Sequence, residues 1–157
     1  MNLVLETVVP SAENGQDIAK FLSENFWTEH SLSGEQSPEI DWSRASAHIN
    51  HFMFEGIVYN VSDGDKIVGS IAVAPDKHWW SAEEYVGDGW FFVLPEYRNL
   101  KDQTSPSHLL IDAVIDYANK LEKPLIMGVF NLKGVERAKK LFDKKGFHQI
   151  GGMYYRN

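Results

Sequence analysis

The chain has 157 residues, 43% of them hydrophobic and 13% aromatic, which is enough to bury a core and excludes a disordered chain. Its 15 basic and 22 acidic residues leave a net charge of −7, which argues against nonspecific nucleic-acid binding, since that needs Lys and Arg to neutralise phosphates. With no cysteine present, disulfides, thiolate metal centres and a cysteine nucleophile are all excluded.

The N-terminal stretch "MNLVLETVVPSAENG" carries neither the basic start nor the apolar run of a signal peptide. No segment approaches the roughly 20 apolar residues of a membrane span. The expectation is a cytoplasmic protein, one domain over residues 1–157, with no membrane or nucleic-acid partner. "LVLETVVP" (3–10) is β-branched, apolar and stopped by a proline, so it reads as a strand. Between Asn14 and His30 the apolar residues Ile18, Phe21, Leu22, Phe26 and Trp27 recur at helical spacing. A turn-rich linker covers 31–39. Asp41 then suits an N-cap for a second helix to Phe54, its apolar face made by Trp42, Ala45, Ile49, Phe52 and Met53.

Two strands flank the Asp63-Gly64 dipeptide, a strong hairpin signal. A further strand spans 85–94, where Gly87 and Gly89 suggest a bulge or a close backbone approach. A polar loop follows, and Ser105 as N-cap with Pro106 at the first helical position opens a helix marked by Leu110, Ala113, Val114, Tyr117 and Leu121. "PLIMGVF" (124–130) reads as a buried strand, and Val135, Ala138, Leu141 and Phe142 space a last helix that Gly146 stops. "FHQIGGMYYRN" is expected to close the chain as a strand.

Charge is unevenly distributed. Residues 1–97 hold four cations, Lys20, Arg44, Lys66 and Lys77, whereas ten lie between Arg98 and Lys145. The second half can therefore host an anion, or it simply presents the solvated faces of two helices. His48 and His51 sit three apart on one helix without a third ligand, so no metal site is expected. In "HWWSAEEY" (78–85), Trp79 and Trp80 sit among acids; they either line a pocket for a cationic or aromatic amine, or pack a dimer seam or the sheet edge.

Two stretches carry a family resemblance. "FFVLPEYRN" contains a V-x-P-x-Y-R pattern, and "NLKGVERAKKLFDKKGFHQIGGMYY" has an Asn after a strand, an Ala and an aromatic on the next helix, then Gly-Phe. Together with the element order, they resemble the GNAT superfamily of acyl-CoA-dependent N-acyltransferases over essentially the whole chain. The resemblance implies an α/β fold with a mixed, mostly antiparallel sheet of about 6–7 strands flanked by about four helices. It also implies transfer of acetyl from acetyl-CoA to a primary amine, whether small-molecule or peptidyl, by direct attack; the family often dimerises, so both a monomer and a homodimer stay open. The backbone of Phe92, Val93 and Leu94 would bind the pantetheine arm, and Asn131 would contact the cofactor arm. The helix start at Ser105 and Ser107 would take the pyrophosphate, where helix dipole and N–H donors favour an anion, with Arg98 and Lys101 adding charge. Asp88 stands where some members carry the general base, with Glu83, Glu84 and His78 as weaker candidates.

This chain departs from the family pattern twice. No glycine separates Arg98 from the helix, where the family has a glycine-rich turn, and the longer loop carries Asp102 and Thr104. Phe142 occupies the position of a Tyr that protonates the leaving thiolate, and Tyr154 or Tyr155 could take that role. These departures keep a second reading open, a GNAT-fold binding or interaction protein without catalysis.

Overall fold

The computed structural model describes residues 1–27, 39–98, 100, 105–129, 134–152, 154 and 156. The elements run β1 (Leu3–Thr7), α1 (Ala12–Phe21), α2 (Trp42–Glu55), β2 (Ile57–Asp63), β3 (Lys66–Lys77), β4 (Glu84–Val93), α3 (Pro106–Lys120), β5 (Leu125–Ile126) and α4 (Val135–Lys144). α1 passes directly into a π-helical turn over Leu22–Phe26, and a 3-10 turn over Pro95–Tyr97 follows β4. The strands form one sheet in the order β1-β2-β3-β4-β5, antiparallel except for the parallel β4–β5 pair.

Local chemistry accounts for most element ends. Ser11 and Asp41 cap α1 and α2 by accepting from the N–H groups of Asn14 and Arg44 at 3.0 and 3.2 Å. The β2–β3 hairpin turns at Gly64, which takes φ +60, while among described non-glycine residues only Glu122 has positive φ; that is the II′ pattern. α4 ends in a Schellman motif. The Phe147 N–H donates to Phe142 O at 3.0 Å and the Gly146 N–H to Asp143 O at 3.2 Å, with Gly146 at φ +85. α3 ends the same way, with Lys123 N–H to Ala118 O and Glu122 N–H to Asn119 O, but a glutamate holds the left-handed position at φ 54.

Alternation along β3 places the helices. The indole N–H of Trp90 donates to Ser70 Oγ at 2.9 Å, and Trp90 also meets Phe52 of α2, so Ser70 points toward α1 and α2. The neighbouring Gly69 lies against Leu110 of α3, so α3 covers the opposite face. The core between these layers includes Ile18, Ile49, Val58, Ile71, Leu110 and Val114, all essentially without solvent contact.

Four expectations need correction. Among the described residues the sheet has five strands, against the six or seven expected. The stretch 147–152 forms no strand, and neither does Tyr154 or Arg156; the Gly151-Gly152 pair offers no side chains with which to pack a ladder. Among the described residues of the expected strand over 124–130, only Leu125 and Ile126 pair, because two residues later the Gly128 N–H turns to a side-chain carboxylate instead of the ladder. The first helix also stops being α-helical at Phe21, continuing as the π turn.

Candidate active site

The site grows out of an irregularity in β4. Ala72 pairs with Trp90 and Val73 with Asp88, so Gly89 has no partner across the ladder and forms a bulge. A β-carbon there would meet the Phe52 ring at 2.7 Å, so the same glycine also permits the close approach of α2. His48 of α2 lies with Nε2 3.3 Å from the Gly89 carbonyl oxygen. Below the bulge, β4 pairs with β5 through Val86 and Gly87. Above it, no described strand pairs with β4 on that side.

A cleft of about 680 Å³ opens along this unpaired half, within the range of ligand-binding pockets. Its walls include Asp88 to Val93, the start of α3 and one face of α4. Strand alternation decides which backbone groups face it. The Leu94 N–H donates to Val68 O at 2.9 Å, so Leu94 belongs to the β3 ladder and the groups of Val93 point the other way. By the same alternation those of Phe91 also point into the cleft, a position the sequence reading did not name. The Val93 carbonyl accepts from Arg98 Nε at 2.7 Å, and the Arg98 guanidinium lies 4.9 Å over the Phe92 ring. Phe92 in turn packs edge-on against Phe21 and Phe26, the latter on the π turn. Tyr97 fixes the turn before Arg98 by donating to Asp63 at 2.9 Å.

Ser105 and Ser107 both line the cleft at the start of α3. Ser105 is buried at the N-cap, and its carbonyl accepts the first helical bond, from Leu109 at 3.1 Å. A helix start carries N–H groups without intrahelical acceptors and a partial positive charge. The opposite wall supplies what the sequence reading missed: Arg137, Lys140 and Lys144 of α4 border the cleft. Their spacing of three and four residues makes one helical stripe, which was legible in the sequence; the direction in which α4 presents it was not. Lys101, Asp102, Thr104, Asn131 and Tyr155 lie outside the described residues.

Asp88 sits at the foot of the cleft, half-buried, with both carboxylate oxygens 3.3 Å from the Gly128 N–H. Burial raises its pKa above the usual carboxylate value, against the lowering effect of the Gly128 N–H and its own backbone N–H. Glu84 takes a different part. It pairs with Lys123, and that hydrogen bond and charge lower its pKa. Phe142 packs on Phe147 at 5.1 Å as the apolar contact of the Schellman motif, and Tyr154 is fully exposed. Trp79 and Trp80 pack no sheet edge: they are 92% and 65% exposed. Among the described residues no group of His, Asp or Glu is placed to hold a metal ion, and no helix is long and apolar enough to cross a membrane.

No protein-family model matches the chain, and no curated protein does. Solved structures match over the full length. An aminoglycoside acetyltransferase from an uncultured soil metagenomic sample aligns with TM-score 0.67 at 14% identity, over 100% of this chain and 99% of that one. AAC(6')-Iy in complex with the bisubstrate analogue CoA-S-monomethyl-acetylneamine aligns at TM-score 0.66 and 12% identity, over 100% and 99%. A predicted acetyltransferase from Clostridium acetobutylicum, solved with acetyl-CoA, gives 0.68 at 11% identity, over 99% and 96%. The chain thus has the fold of the GNAT acetyltransferases.

Proposed function

We propose that the chain is an N-acetyltransferase that moves acetyl from acetyl-CoA to a primary amine. The observation that carries this is the combination of an unpaired β4 edge, a helix start and a cationic stripe around one cleft. The edge at Phe91 and Val93 offers backbone groups to an amide-bearing arm, as a peptide would find at a sheet edge. Ser105, Ser107 and the first turn of α3, with Arg98, offer donors and charge to a pyrophosphate, and Lys101 precedes them in the sequence. Arg137, Lys140 and Lys144 face the same space and suit a further phosphate. Asn131 would contact the arm from the segment between β5 and α4. Similar structures solved with acetyl-CoA and with a CoA-based bisubstrate analogue support this reading.

In the reaction, Asp88 accepts a proton from the substrate ammonium. The freed nitrogen lone pair attacks the thioester carbonyl, the C–N bond forms and the C–S bond breaks, with its electron pair leaving on sulfur. The thiolate takes up one proton and one is released, so ammonium plus thioester become amide, thiol and a proton. Burial of Asp88 suits this task, because a base works best with a pKa nearer the working pH.

The test is calorimetric titration of acetyl-CoA beside dephospho-CoA, followed by thiol release with a panel of amines. Binding that weakens without the 3′-phosphate, together with turnover, is the expected result; absence of binding at millimolar acetyl-CoA overturns the proposal. The packing of Phe142 on Phe147 and the exposure of Tyr154 favour a second reading, a binding protein on this fold without catalysis. That reading predicts acetyl-CoA binding without thiol release from any amine.

A further inference from the structure

Asp88 borders two spaces. One is the main cleft; the other is a smaller cavity of about 160 Å³ walled by His51 and Phe52 of α2, Asp76 of β3, Tyr85 and Gly87 of β4 and Ile126 of β5. A donor lying along the unpaired half of β4 fills the first, so an amine can approach Asp88 from the second without crossing it. The size is informative. A cavity of about 150 Å³ accommodates a benzene molecule, so this one takes an arm of about six non-hydrogen atoms, and the rest of a longer acceptor must lie outside.

What lies outside is an aromatic stack. Tyr85, at the cavity wall, stacks on His78 at 4.7 Å and 28°, and His78 stacks on Trp80 at 4.6 Å and 14°. Trp79 closes the row edge-on at 5.5 Å. The two tryptophans keep 92% and 65% of their surface in solvent, so the row is a ledge rather than part of the core. Asp76 stands beside it with its carboxylate oriented, accepting from the Lys77 N–H at 2.7 Å and from the Tyr85 hydroxyl at 3.4 Å. A carboxylate beside a row of aromatic rings is an arrangement that holds an ammonium group, by charge and by cation–π attraction together.

From this we infer that the His51–Asp76–Tyr85 cavity is the acceptor site and that its ligand is a linear diamine or longer polyamine. One amine sits at Asp88, the alkyl arm lies along Phe52 and Ile126, and a second ammonium rests on Asp76 and the Tyr85–His78–Trp80 ledge. Asp76 and Trp80 are specificity determinants, whereas Asp88 belongs to the chemistry. The inference rests on the acyltransferase reading for its reaction, but not for the binding of the amine.

Two measurements separate these. The first is calorimetry of butane-1,4-diamine and of n-butylamine with the full chain, each without acyl donor. The diamine should bind about tenfold more tightly than the monoamine, as a second ammonium adds about one ion pair and one cation–π contact. Asp76→Asn and Trp80→Ala, both at exposed side chains, should each erase most of that ratio. The second is steady-state acetyl transfer, where the same variants should raise KM for the diamine and leave n-butylamine kinetics unchanged, while Asp88→Asn lowers kcat for both. Equal binding of the two amines, or a ratio that Asp76→Asn leaves intact, overturns the cavity assignment. Diamine binding by a protein that binds no acetyl-CoA supports the cavity and overturns the enzyme reading alone.

Discussion

Gly89→Ala tests the junction on which the site is built. The added β-carbon would lie 2.7, 2.7 and 2.8 Å from three atoms of the Phe52 ring, where carbon contacts prefer about 3.5–4.0 Å. The ring must retreat by about 1 Å, and it is 8% exposed and hemmed in by His48 at 4.8 Å, His51 at 5.2 Å and Trp90 at 5.8 Å. Overpacking of this kind costs about 1–3 kcal/mol, and three simultaneous clashes put it in the upper half of that range. Gly89 does not use a left-handed φ, so alanine recovers about 0.5–1 kcal/mol by restricting the unfolded chain. The net loss is about 2 kcal/mol, or about 4–8 °C in Tm for a chain of this length. Thermal denaturation of Gly89→Ala, Phe52→Leu and the double variant checks the cause. Removing the ring tip should relieve the clash, so the double variant should be at least about 1 kcal/mol more stable than the sum of the singles. A Gly89→Ala protein that melts within a degree of the parent, or strictly additive variants, would refute the steric reasoning.

The remaining predictions concern charge and helix ends. Because burial raises the Asp88 pKa, kcat/KM should fall on acidification at a pH above the ordinary carboxylate range, and Asp88→Asn should abolish that limb and lower kcat by about 10²–10⁴. The same shift has a stability sign. A carboxyl that binds its proton more tightly when folded favours the fold below its unfolded pKa and loses that contribution as pH rises through the folded one, so Asp88→Asn should melt higher than the parent at pH 7, with the gap closing in acid, as scanning fluorimetry would show. Reversing the α4 stripe with Arg137→Glu and Lys140→Glu should weaken acetyl-CoA by about tenfold or more in calorimetry and dephospho-CoA by less, since one lost charged contact is worth about 1.5–3 kcal/mol. Glu122→Gly should raise stability by about 0.5–1 kcal/mol, as the residue sits at φ 54 in a C-terminal motif, whereas Gly146→Ala in the matching motif of α4 should lower it by about 1 kcal/mol in denaturant melts.

Features written in a few adjacent residues were legible in the sequence. The Asp41 side chain caps α2, Pro106 opens α3 after Ser105 although the Ser105 hydroxyl makes no capping bond, and Gly64 and Gly146 turn the chain with positive φ. Gly89 was legible as a bulge or a close approach, and it is both. Whatever depends on distant partners was not. The length of β5 is decided by Asp88, some forty residues away, taking the Gly128 N–H from the ladder. The apolar and aromatic letters of 147–157 looked strand-like, but a strand needs a neighbour, and none of the described residues there finds one. The Arg137, Lys140 and Lys144 stripe could be read as solvated surface until the docking of Leu141 and Phe142 against the core turned it to the cleft. Tyr85, Asp76 and His51 come from three elements, and no local pattern links them to one cavity.

The half of β4 that no described strand pairs has a cost of its own. Trp90 to Val93 is a short aromatic and aliphatic run with main-chain groups facing a gap, the kind of edge that recruits other chains and seeds aggregation. A ligand lying in that gap would act as a prosthetic strand and shield the edge. Mass action then ties the survival of the fold to the ligand pool, by about 2.7 kcal/mol when the ligand stands a hundredfold above its Kd. Scarcity of such a ligand would therefore register as precipitated protein.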